Sequence, residues 1–296
     1  MKILRLSTIT LAASAAVACL AASAQAQVVS VQFARYGNGS ELQGLNTAGY
    51  NMSAGVISEN NWNVGDPGVF TTDGGGSYTY PSSITSANSI TDPNGNLTGM
   101  VDSNGNPTSV TFSIANTNFY EAGSGSGANY GNWPGALTQS PGITNNYDLV
   151  NGVWMNYNGT TTLTLGGLDS NASYNLFLYF GTAGGWPSGP SQATLGSTTY
   201  YFNADVGSLT GYTQSTSTDS TVSPVADYVE FTNVSASALE SGASVAATVQ
   251  YNNQVGISGF QLQAVAVPEP ATVWSAVLGL FGLVAFGVRR NRTGNS

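Results

Sequence analysis

A short pattern occurs twice with side-chain oxygens at alternate positions: Asp92, Asn94 and Asn96, then Asp102, Asn104 and Asn106 ten residues later. Oxygen ligands at every second position are how a calcium loop begins. The bidentate glutamate that completes an EF-hand is missing, because Ser103 and Ser113 stand at the two twelfth positions. Each copy also contains Asn-Gly, the pair that closes a tight hairpin turn, so the simpler reading is two turns. Calcium is thus the only cofactor left open, and none is the simpler expectation. A second chemistry, glycosidic hydrolysis, needs two carboxyls across a cleft. Glu121, Asp148, Asp66 and Asp73 are the acids that fall near aromatic residues. A third is stacking of rings on sugars. Trp133 and Trp186 sit beside proline and glycine in loop-like sequence, where exposure suits glycan contact; Trp62 is a further aromatic, and Trp154 falls in a strand pattern that favours the core.

Absences narrow the chemistry further. The chain has no histidine, and its only cysteine is Cys19, close to the N-terminus. Ser-His-Asp and Cys-His catalysis and ordinary zinc or copper sites are excluded. No phosphate-binding glycine loop occurs. The expectation is a protein that is not an enzyme, with a carboxylate-based glycan hydrolase as the remote alternative. Charge excludes a partner class: between the two end segments only Arg35 balances fourteen acidic side chains, a net charge of about −13. Nucleic-acid binding depends on lysine and arginine displacing counterions, so DNA and RNA are not partners.

These residues must be held by β-structure. Apolar residues alternate at Val29, Val31 and Phe33; at Val110, Phe112 and Ile114; at Leu163 and Leu165; at Val229 and Phe231; at Val245, Ala247, Val249 and Tyr251; and at Phe260, Leu262 and Ala264. A period of two marks a half-buried strand. Around Tyr174, Leu176, Leu178 and Phe180 the intervening Phe177 and Tyr179 are apolar too, which predicts a central strand. Turn formers separate the runs, among them Asn104-Gly105, Gly166-Gly167 and Asp169-Ser170-Asn171. No stretch between the ends keeps a helical period. The fold class is therefore all-β, an antiparallel two-sheet sandwich with jelly-roll-like topology, in one domain over 27–266. A parallel solenoid is the alternative, but no repeat of the required length is visible.

Both ends read as membrane segments. Residues 1–26 form a signal peptide: Lys2 and Arg5, an apolar stretch, then Ala24 and Ala26 in the small-x-small arrangement cut by signal peptidase. Cleavage leaves Gln27 first and removes Cys19; the competing reading lipidates Cys19 instead. At the other end, Val267, Pro268, Glu269 and Pro270 precede eighteen uncharged residues, 271–288, followed by Arg289, Arg290 and Arg292 at 289–292. Eighteen helical residues at about 1.5 Å each span roughly 27 Å, close to the hydrocarbon core of a bilayer. The arginines hold their end on the cytoplasmic side as a membrane stop. Two prolines keep the segment before the span extended and open to a protease.

This three-part tail resembles the PEP-CTERM sorting signal of Gram-negative bacterial surface proteins. The resemblance implies an exosortase-type membrane protease as partner, recognising the segment 267–270 and cutting near it. The inner membrane then holds the chain only transiently, before release to the cell surface or extracellular matrix. The catalytic residues belong to that partner, so none is assigned to this chain. The segments 28–33, 60–63 and 257–262 resemble ectodomains attached to such tails, which implies galactose-binding-like or concanavalin-like sandwiches. The function expected is a structural or matrix-associated surface protein, with a carbohydrate-binding or adhesion module in contact with exopolysaccharide as the alternative.

Overall fold

Among the described residues, thirty-five apolar side chains are buried between or against two sheets whose strands alternate inward and outward residues. A computed structural model describes residues 27–33, 55–65, 71–72, 78–79, 83–91, 98–115, 118–121, 152–155, 159–181, 189–204, 212–248 and 255–265. The strands in chain order are β1 (Val28–Phe33), β2 (Trp62–Gly65), β3 (Thr71–Thr72), β4 (Tyr78–Thr79), β5 (Ser83–Thr85), β6 (Ile90–Thr91), β7 (Thr111–Ala115) and β8 (Asn118–Glu121). They continue with β9 (Gly152–Met155), β10 (Thr160–Gly166), β11 (Ser173–Gly181), β12 (Pro190–Leu195), β13 (Thr198–Asn203), β14 (Tyr228–Ser235), β15 (Ala243–Ala247) and β16 (Gly256–Val265). Helix α1 (Ser86–Ser89) follows β5 and α2 (Ala236–Ser241) follows β14.

An eight-stranded sheet runs β14-β11-β16-β1-β2-β6, with β9 joined to β16 and β8 to β9; a six-stranded sheet runs β13-β12-β15-β10-β7-β5. From β10 onward the chain passes repeatedly between them. Phe33, Phe112 and Phe260 meet edge-on across the gap, and Phe180 stacks on Phe202 at 3.6 Å. Burying side chains of this size stabilises by about 1.5–3 kcal/mol each. The expected central strand is β11: it lies between β14 and β16, and both of its faces are buried from Leu176 to Gly181.

One pairing departs from the antiparallel expectation. Strands β1 and β2 are parallel, with Ser30 opposite Trp62 and Gln32 opposite Val64. Parallel neighbours need a long crossover, and residues 34–61 provide one. Short α2 also went unread, because six residues are too few to show a period. Its start is nevertheless local: the Ser235 hydroxyl accepts the Ala238 N–H, and Gly242, at φ 101°, closes it by donating to the Ala238 and Leu239 carbonyls.

The six strands of the smaller sheet contain no charged residue. Their outward positions carry mostly hydroxyls, as in Thr160, Thr162 and Thr164, which alternate with buried Thr161, Leu163 and Leu165. Among the described residues no helix is long and apolar enough to cross a membrane; the predicted signal helix and the predicted span at 271–288 lie outside them.

Candidate functional site

Three places bring polar chemistry together. The first is one end of the larger sheet. Strand β16 is held on both flanks, by β1 from Gln263 opposite Val28 to Gly259 opposite Gln32, and by β11 from Val265 opposite Ser173. The Ala264 N–H donates to the Gln27 carbonyl at 3.0 Å. The residue expected to begin the mature chain is thus hydrogen-bonded to the last strand. The three ectodomain-like segments fall on or beside β1, β2 and β16, which are neighbours in the sheet.

The second place is the Asp102 turn beside that end. Val101 bridges Pro107, the Asp102 N–H bonds the Asn106 carbonyl at 2.9 Å, and Gly105 takes φ 79°, which only glycine adopts cheaply. This copy of the repeated pattern is therefore an Asn-Gly turn. The Asp102 carboxylate is buried and turned inward: Oδ1 accepts the Asn104 and Asn106 N–H groups at 2.9 and 2.8 Å, and Oδ2 accepts Gln27 Nε2 at 3.0 Å and Asn106 Nδ2 at 3.4 Å. Burial pushes this carboxyl up, but the four donors outweigh it and hold it below the ordinary carboxylate range. Glu59 is shifted the other way, by partial burial and then by the Asp102 charge. A carboxylate saturated by N–H donors has little left to offer a metal or a substrate. Among the described residues no group of three or more acids, histidines or cysteines could hold a metal ion.

The third place is the outer face of the larger sheet, where residues 55–60 lie across the strands as a strap. Its backbone is gripped by side chains: Gly55 N–H donates to the Tyr212 hydroxyl at 2.8 Å, Val56 N–H to the Tyr179 hydroxyl at 2.8 Å, and Ile57 N–H to Gln261 Oε1 at 3.1 Å. Gln261 completes the grip, since its Nε2 donates to the Ile57 carbonyl at 2.7 Å and to Ser30 Oγ at 3.0 Å, while Tyr179 donates to its Oε1 at 2.7 Å. A Cβ at Gly55 would lie 2.5 Å from Gln261 Oε1, so glycine there is required by space as well as by its φ of 89°. Trp62, 1% exposed, packs edge-on against Tyr179, and its Nε1 donates to the Glu59 carbonyl at 3.1 Å. Burial pushes the Tyr179 phenol well above its usual range. Burial likewise raises Asp227 to about 7, although its Oδ1 accepts the Thr213 N–H at 2.8 Å.

Of the residues singled out from sequence, Asp102, Asn104 and Asn106 are thus together in one turn. Trp62 is core rather than exposed. Glu121 lies on β8 and Trp154 on β9. Asp92, Asn94, Asn96, Trp133, Trp186, Asp66, Asp73 and Asp148 lie outside the described residues. So do Ala24, Ala26, Val267, Pro268, Glu269, Pro270, Arg289, Arg290 and Arg292. The grip of Tyr179, Tyr212 and Gln261 on the strap went unread, and so did the shift of Asp227. The available signal was weak: polar Gln261 and Ser30 interrupt apolar strands at outward positions.

Residues 266–292 match the family described as the PEP-CTERM protein-sorting motif. No similar curated protein and no similar solved structure was found. The matched segment starts at the residue after the end of β16. A motif of this kind indicates export and transient membrane residence on the way to the cell surface, with exosortase as the processing partner.

Proposed function

We propose that this is a structural, matrix-associated surface protein whose jelly-roll-like sandwich is delivered by the tail and set free by cleavage near Pro268-Glu269-Pro270. The observation that carries this reading is the position of the motif directly after β16, a strand paired on both sides up to Val265. Only Ala266 and Val267 separate that paired residue from Pro268. A cut in the motif therefore leaves every hydrogen bond of β16 intact, whereas a cut upstream would unpair a strand from the middle of a sheet. Charge favours release as well. A domain of about −13 is repelled by anionic headgroups within a Debye length of the surface, so long residence there is unfavourable.

This reading assigns the protein no catalytic step, in keeping with a mature chain that lacks histidine and cysteine. Replacing Pro268, Glu269 and Pro270 with alanine in the native host tests it. The expected product is a membrane-retained chain of uncleaved size, and normal processing and release would refute the sorting role. A carbohydrate-binding or adhesive role is the second reading, favoured by the uncharged, hydroxyl-bearing strands of the smaller sheet.

A further inference from the structure

We infer that the outer face of the six-stranded sheet is a docking surface for a neutral polysaccharide. Strand register places Thr199 of β13, Thr194 of β12, Ser244 of β15 and Thr162 of β10 directly opposite one another, in one row across four strands. Thr164 and Ser113 extend the array across β10 and β7. Neighbouring strands lie about 4.7–4.9 Å apart, so hydroxyls recur at a short interval across the sheet. All six residues are partly exposed. Thr194 and Thr199 share a hydrogen bond at 3.0 Å. The hydroxyls of Thr162, Thr164, Ser113 and Ser244 take no protein partner among the described residues. Gly242 lies against the row, where a Cβ would stand 2.7 Å from Thr162 Cγ2 and 3.3 Å from Thr164 Oγ1.

The chemistry of this face selects its partner by elimination. None of its strands carries a cation to hold a phosphate or an anionic polymer, and the domain as a whole is a polyanion that repels one. The row itself has no aromatic or large apolar anchor of the kind that carries a protein interface; Tyr201, opposite Gln192, is the aromatic that stands beside it on this face. The row is an extended track across four strands, whereas small ligands are held in concave pockets. What remains is an extended, uncharged chain rich in hydroxyls. Each serine or threonine hydroxyl donates one hydrogen bond and accepts two, so the array can pair with such a chain in either sense. Threonine is stiff at χ1, and a stiff surface loses little entropy when a partner settles on it.

The inference rests on delivery to the cell surface, where exported polysaccharide is met. It is tested by affinity electrophoresis of the detergent-solubilised full chain in native gels containing laminarin, dextran or galactomannan, with alginate as the anionic control. At least one neutral polymer is expected to retard the wild type, and alginate to leave it unretarded. The double variant Thr162→Val, Ser244→Ala should weaken retardation about tenfold with an unchanged melting midpoint, and the hydroxyl-keeping pair Thr162→Ser, Ser244→Thr should retain it. The inference is overturned by no retardation in any neutral polymer, by equal retardation in alginate, or by a double variant that folds and binds normally. Self-association abolished by the same substitutions would make the partner a second copy and overturn it too. Processing of the tail is scored separately by size in the host. Normal processing without retardation removes this inference and leaves the sorting role standing.

Discussion

The two outer faces of the sandwich obey the same alternation of apolar inward and polar outward residues, yet they end in opposite states. On the eight-stranded sheet the outward residues are long or aromatic: Tyr179, Gln261 and Trp62 reach out, grip the strap at 55–60 and become buried beneath it. On the six-stranded sheet most of them are short hydroxyls, which rise too little to hold a passing backbone; Gln192, Tyr201 and Asn203 are longer exceptions, and the face stays partly open. Outward polarity by itself therefore does not decide exposure. Reach does, because a carboxamide that meets both the N–H and the carbonyl of Ile57 replaces the water a loop must give up.

The sharpest way to break this contrast is Gln261→Leu. It removes four hydrogen bonds, involving Ile57 twice, Tyr179 and Ser30, and leaves buried partners unpaired. At about 1–3 kcal/mol for each orphaned group, a loss on the order of 5 kcal/mol is expected in denaturant melts. A loss below about 1 kcal/mol would mean that the strap contributes nothing and that the two faces are alike.

A smaller effect should follow from Asp227 beside the same covered face. Its folded pKa is raised from 3.8 to about 7 by burial, so between those values the native state keeps a proton that the unfolded chain has released. This contribution is full below about pH 4, falls as pH rises toward about 7, and then levels off. Its size is on the order of 4 kcal/mol, from about 1.4 kcal/mol for each pH unit between 3.8 and about 7. Asp227→Asn should flatten that decline while keeping an oxygen for the Thr213 N–H. Identical melting profiles for wild type and variant from pH 4 to 8 would contradict it. The least effect belongs to the open face, where Thr162→Val and Ser244→Ala should each change stability by less than about 0.5 kcal/mol. A larger loss in thermal melts would show that these hydroxyls serve the fold.

Much of the architecture was legible because strands announce themselves locally. The apolar run on both faces of β11 marked a strand between neighbours, and Asn104-Gly105 marked a turn. The turn residue itself was harder: two oxygens two residues apart fit calcium and Asx-turn geometry equally well, and only the inward rotation of Asp102 onto four N–H donors distinguishes them. Trp62 stood among the aromatics that could stack on a sugar, and nothing local showed it to be core; Asn63 spends its amide on the Ser30 and Val101 carbonyls at 2.9 and 2.8 Å, and the indole beside it lies inside. The parallel β1 and β2 pair left no mark at all, since pairing sense is a property of two strands and not of either one.

The address of this protein and its exclusions are written in the order and kinds of its residues alone. A sorting motif is read as contiguous residues, and a histidine missing from the chain, like the lysine and cysteine missing after residue 26, is missing in any fold. Tertiary structure alone decided which polar residues are buried, which carboxyl is held low and which high, and which face stays open. Those outcomes depend on pairs far apart in the chain, as when Gln261 meets Ser30 across 231 positions. The energy of such a contact resides in removing both partners from water together, and no window of sequence contains both.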